Sequence, residues 1–123
     1  MKFFLVFLLV AHGVAHIVGF VSMWQLGDPS KFPYQTTILG GHVDLGDAGA
    51  RVLGVLYLGC AVAFVVAAAA YFVRAPWWPP LFIATVSVSL VLCMVNLPLT
   101  KIGLAVNLVL LAIYAFLTTR TDF

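Results

Sequence analysis

From Phe3 to Trp24 the chain runs without one Asp, Glu, Lys or Arg, and the stretches 52–73, 75–100 and 102–119 repeat that absence. A helix rises 1.5 Å per residue, so about 20 apolar residues cross the hydrocarbon of a bilayer. Backbone amides find no water there, which forces such stretches to be helical. The pattern predicts an all-α integral membrane protein. Its single domain is an up-down-up-down bundle of four transmembrane helices, with spans at about 3–24, 50–73, 81–97 and 102–117. Charged residues make up 8% of the chain, against roughly 25% in soluble domains, too few to cover a water-facing surface. The net charge of +2 is spread along the chain, which argues against nucleic acid as a partner and leaves the lipid bilayer.

The opening MKFFLVFLLVA has the basic start and apolar centre of a secretory signal, with Gly13-Val14-Ala15 as a passable cleavage site. The apolar run continues to Trp24, long enough to span, so the segment is expected to be retained. Trp77 and Trp78 mark a membrane interface, opposite the one marked by Trp24, and Pro79-Pro80 suit a first helical turn. NLPLTK ends the third helix near Pro98. One connection is long, about 25–49, and loops of that length often carry function. Lys2, Arg74 and Arg120 fall on one side; Lys31, Arg51 and Lys101 fall on the other, so the positive-inside count ties. Lys2 directly flanks the first span, which favours cytoplasmic termini in a bacterial cytoplasmic membrane.

Small residues recur every fourth position at Ala11, Ala15 and Gly19, and again at Gly59, Ala63 and Ala67, a pattern that lets membrane helices pack closely. DLGDAGARVLGVLYL and NLPLTKIGLAVNLVLL form a faint echo, each with a cation (Arg51, Lys101) six residues before a hydrogen-bonding side chain (Tyr57, Asn107). Cys60 and Cys93 form no metal-type spacing and read as small apolar fillers.

His12 and His16, four residues apart, share one face of the first helix. Thr85, Ser89, Cys93 and Asn96 form a polar stripe on the third. Counting along the spans puts His16, Tyr57, Cys93, Asn96 and Asn107 in one depth band, in the leaflet under the long loop. Above it lies GGHVDLGDAGAR, where Gly40 and Gly41 permit a sharp turn and Asp47 is placed to cap the second helix. His42, Asp44 and Arg51 are candidate roof residues of a ligand cavity lined by His16, Tyr57, Asn96 and Asn107, with Arg51 attracting an anionic or carbonyl-bearing ligand.

Three duties suit the histidines. They can fix helix packing by hydrogen bonds. They can handle a proton or pair with a quinone, a lipid headgroup or a polar metabolite. They can ligate a transition metal or a haem, His12 and His16 chelating one ion with help from His42, Asp44 or Cys93. The chain has no HExxH, no phosphate-binding glycine loop, no nucleophile elbow and no acidic residue within a span. Three function classes follow: a membrane protein with an intramembrane polar cleft for a small ligand or cofactor, an accessory subunit of a larger membrane complex or homo-oligomer, and a membrane enzyme using His16.

AHGVAHIVGF, LGGHVDLGDAGARVLG, WWPP and AVNLVLL together resemble a group of small bacterial four-span membrane proteins with an HGxxHxxGF first-helix signature. The resemblance covers most of the chain and implies the four-helix fold; the signature carries no known activity. The architecture is distantly similar to DoxX-like proteins, some of which accompany quinone-linked oxidoreductases.

Overall fold

A computed structural model describes residues 2–97 and 100–120. Four helices account for most of it: α1 (Lys2–Met23), α2 (Gly46–Phe72), α3 (Trp78–Val95) and α4 (Lys101–Arg120). Each contains a segment long and apolar enough to cross a membrane, giving a multi-pass, all-α bundle. Phe3, Phe7, Val62, Val91 and Ile102 are exposed, as a surface facing lipid requires. Pro98, where the sequence predicts the end of the third helix, lies outside the described residues; α3 ends at Val95.

The core gathers where α1 packs along α2, with Leu5, Leu9, Phe64 and Ala67 fully buried. The α1–α2 contact is extensive, α2–α3 and α3–α4 are moderate, and α1 and α4 barely meet. The close approach of α1 and α2 depends on Gly13: a Cβ there would lie 2.9 Å from Phe64 Cβ and 3.1 Å from the Ala61 carbonyl oxygen. Ala11, Ala15 and Gly59 stay out of that seam. Ala11 and Ala15 are exposed on the α4 side, and no atom approaches within 4 Å of a Cβ placed at Gly59. The expected small-residue stripes are therefore corrected at Ala11, Ala15 and Gly59, while Gly19, where a Cβ would lie 2.5 Å from the Tyr57 ring, and fully buried Ala67 keep a packing role. The close seam adds Gly13, set against Ala61 and Phe64 of α2.

Two helix ends close without glycine. At the end of α1 the Leu26 N–H donates to Val21 O and the Gln25 N–H to Ser22 O. At the end of α2 Ala75 donates to Ala70 O and Arg74 to Tyr71 O. These paired bonds consume the last free carbonyls, and they put Gln25 (φ 54) and Arg74 (φ 57) in the left-handed region. At that second end Trp77 is exposed, as an interfacial ring should be, whereas Trp78 turns inward against Tyr71, Phe82 and Tyr114. One residue is a 100° rotation, so neighbouring tryptophans in one helical turn cannot share an environment.

The long connection has its own structure. β1 (Thr37–Ile38) pairs antiparallel with β2 (Val43–Asp44), joined by a short 3-10 turn over Leu39–Gly41 that contacts α3. Gly40 (φ 68), Gly41 (φ 91) and Gly46 (φ 72) supply the left-handed backbone the hairpin and the start of α2 need. Asp47 does not cap α2; its carboxylate accepts a hydrogen bond from the Tyr34 hydroxyl, which raises the Tyr34 pKa. Asp44 takes the capping duty instead, its Oδ1 accepting from the Gly46 N–H at 2.9 Å.

That bond holds the Asp44 carboxyl below its usual 3.8. A lowered folded-state pKa means the contribution is complete above about pH 4 and is lost as pH falls through the folded value. Amide exchange at Gly46 is expected to stay protected above pH 5 and to rise beyond the intrinsic rate change on acidification. Asp44→Ala should show the raised exchange at every pH; unchanged protection in that variant would remove Asp44 from the cap.

Candidate functional site

α1 and α3 bring the polar residues together through a chain of buried hydrogen bonds. His12, His16, Ser89 and Asn107 are all buried, Ser89 and Asn107 fully. His16 Nδ1 lies 2.8 Å from the His12 carbonyl oxygen, and a carbonyl only accepts, so Nδ1 carries the proton. Neutral His16 then accepts at Nε2, where the Ser89 hydroxyl donates across 2.7 Å. Ser89 Oγ in turn accepts from Asn107 Nδ2 at 3.0 Å, and the same amide nitrogen reaches Cys93 Sγ at 3.6 Å. Asn107 Oδ1 is left to accept from His12 Nε2–H at 2.9 Å. Every group but His12 Nδ1 finds a partner with both imidazoles neutral, and the network ties α1, α3 and α4 together.

The network leaves His12 Nδ1 as a bare acceptor with no partner among the described residues, on a ring that lines a polar-ended cavity. A second pair reaches the same space. Asn96 Nδ2 donates to Tyr57 Oη at 2.7 Å and to the Leu92 carbonyl at 2.9 Å. Tyr57 keeps its own O–H, and Asn96 its Oδ1, without a partner among the described residues. The cavity, about 460 Å³, thus offers one hydroxyl donor and two neutral acceptors, within walls formed by Ala11, Ala15 and Gly103 among others. That volume falls in the range of small-molecule sites.

Several expected site residues fall elsewhere. Asn107 is sealed behind His12 rather than lining the cavity. Arg51 lies with its guanidinium 5.5 Å over the Trp24 ring, whose Nε1–H donates to the Arg51 carbonyl. His42 and Asp44 are exposed in the hairpin, away from the lining. The loop residues bordering the cavity are Pro33 and Gln35, earlier than the expected 40–51 roof. Among the described residues no Asp, Glu, Lys or Arg lines the cavity, so the cationic attraction expected from Arg51 has no counterpart there.

Metal chelation by His12 and His16 does not fit this donor set. Both His16 nitrogens and His12 Nε2 are committed, and the rings stand edge to face at 4.6 Å. Among the described residues no group of three or more His, Cys, Asp or Glu side chains could hold a metal ion. Cys60 and Cys93 are free and buried.

Ser22, Gln35 and Thr100 also border the cavity and were not singled out from sequence. Ser22 continues the His16–Gly19 face by one more step of three, a signal within reach. Thr100 donates to the Cys93 carbonyl where the α3–α4 connection folds back, and Gln35 arrives through loop closure. Neither placement has a periodicity to announce it.

No protein-family model, curated protein or solved structure matches the chain.

Proposed function

We propose that this protein is an intramembrane binding protein whose cavity takes a small uncharged molecule bearing a hydroxyl or carbonyl group. The observation that carries the reading is the set of Tyr57 O–H, Asn96 Oδ1 and His12 Nδ1, all reaching one uncharged cavity while their neighbours are mutually satisfied. His12, Tyr57 and Asn96 all border this cavity, and a ligand that pairs with the hydrogen-bonding capacity their neighbours leave over gains about 0.5–1.5 kcal/mol per bond. We further place the chain in a bacterial cytoplasmic membrane with both termini cytoplasmic, on the flanking Lys2.

A packing role is favoured for His16, Ser89 and Asn107 by their complete hydrogen bonding, which is what an accessory subunit's interior also requires. His16 acts in this reading as a positioning residue, since an acid–base role would first have to break one of its two bonds.

The test uses hexanol carrying a diazirine, photolysed with the full chain in nanodiscs and mapped by peptide mass spectrometry. Labelling should concentrate on cavity residues such as Ala15 and Gly103. Tyr57→Phe should weaken apparent affinity about tenfold, the effect of one hydrogen bond worth roughly 1.4 kcal/mol. Equal labelling of Tyr57→Phe and the wild type would leave the packing reading in its place.

A further inference from the structure

We infer that the ligand is an amphiphile with an uncharged hydroxyl- or carbonyl-bearing head and a long apolar chain, entering sideways from the bilayer between α1 and α4. This rests on the binding reading above and adds what the rest of the ligand must be.

A second hollow adjoins the polar cavity. That hollow, about 460 Å³, is lined by Phe4, Leu8, Lys101, Ile102, Ala105, Val106 and Val109. Leu8, Ile102 and Val106 border both spaces, so the two meet along the α1–α4 seam. That seam is where the bundle is least closed, since α1 packs on α2 and α4 on α3 while α1 and α4 barely touch. Small side chains keep it open on the α1 side, where Ala11 and Ala15 project into the cavity instead of into a helix seam.

The groove runs along the apolar depth of the membrane. From His12 back to Phe4 the groove follows α1 for roughly 12 Å at 1.5 Å per residue, away from the loop side. A molecule with its head at Tyr57, Asn96 and His12 would therefore lie with its head on the loop side of the groove and its chain running past mid-membrane toward the far end of α1. A free polar metabolite would use only the polar cavity and leave this apolar groove to bulk lipid. The absence of charged residues from the cavity lining decides the head: an ionic group there would be desolvated without a counter-charge, at a cost of several kcal/mol. Lys101 borders only the groove, at the loop-side end of α4, where its stem can carry the ammonium to the interface.

The experiment compares three photoreactive probes on the full chain in phosphatidylcholine nanodiscs: hexadecanol with a mid-chain diazirine, the matching hexadecanoic acid, and the hexanol probe. Hexadecanol should label Leu8, Val106 and Val109 at least tenfold more than the acid does. Val109→Trp, which fills the groove outside the polar cavity, should cut hexadecanol labelling at least tenfold while hexanol still labels the cavity. That retained hexanol labelling also certifies that the variant is folded, and Ala105→Trp, likewise confined to the groove lining, serves as the second variant. Uniform hexadecanol labelling around the four helices, or labelling indifferent to both tryptophans, overturns the chain inference while leaving the binding reading standing. Preference for the acid overturns the uncharged head and points to Lys101. Crosslinked dimers through Ile102 in place of probe labelling would assign the groove to a second copy. Failure of hexanol as well as hexadecanol would overturn both readings together.

Discussion

Asn107→Leu is expected to destabilise the bundle by about 1–2 kcal/mol and to weaken hexanol binding about tenfold. Asn107 is fully buried, and its Oδ1 is the acceptor that holds the His12 proton on Nε2. Leucine of similar volume removes the acceptor, leaving the His12 N–H facing hydrocarbon. The upper bound is set by experience with membrane bundles, where interhelical hydrogen bonds average about 0.6 kcal/mol and rarely exceed 1.7, because the separated helices find other partners. His12 can escape part of the cost by moving its proton to Nδ1. That move converts the cavity's acceptor into a donor, which is why binding should suffer even where folding survives. Nitrogen chemical shifts of the His12 ring report the tautomer directly. Wild-type protein should show protonated Nε2, and the variant should show protonated Nδ1. Adding His12→Phe should recover part of the lost stability, since both polar partners are then gone; two independent, additive losses would mean the pair is not coupled.

The same residues show how far the sequence could be read. Counting along four helices puts His16, Tyr57, Cys93, Asn96 and Asn107 in one depth band, and hydrogen bonds and ring contacts do link them there, with His12 joining one turn away, since depth depends only on rise per residue and span limits. Direction around each helix is harder. Arg51 and Tyr57 are six residues apart, which at 100° per residue places them about 120° apart around the axis, so a cation at the right depth points to Trp24 instead of the cavity. Lys101 and Asn107 repeat that offset, one bordering the outer groove and the other sealed inside. Ala11 and Ala15 failed for the related reason that small residues serve two ends, close helix packing and an open wall. The helix ends after Met23 and Phe72 carried no glycine signal because Gln25 and Arg74 occupy the left-handed position. The start of α2 came four residues earlier than expected because Asp44, not Asp47, satisfies its first free N–H. The β1–β2 hairpin is too short to leave a periodic signature.

Gly13→Val should be severely damaging, costing about 3 kcal/mol or more, with loss of ligand binding. A Cβ at this position meets Phe64 Cβ at 2.9 Å and the Ala61 carbonyl oxygen at 3.1 Å, both too close, and neither belongs to the flexible end of a side chain. Overpacking of a tight core typically costs 1–3 kcal/mol when side chains can yield; here the helices themselves must separate. Separation is also felt at the site, because Phe64 packs against both His12 and His16, with ring centroids 4.9 and 5.2 Å away. The close approach is between backbones, and this makes the prediction sharp. Phe64→Ala keeps the offending Cβ, so it should not rescue Gly13→Val, whereas a clash with the Phe64 ring would be relieved by it. Gly59→Ala provides the contrast, because nothing approaches that Cβ and alanine favours the helix by up to about 1 kcal/mol. Unfolding titrations in mixed micelles should therefore rank Gly59→Ala at or above the wild type and Gly13→Val far below it. Rescue by Phe64→Ala would show that the ring, not the α1–α2 backbone approach, sets the distance on which the histidine network is built.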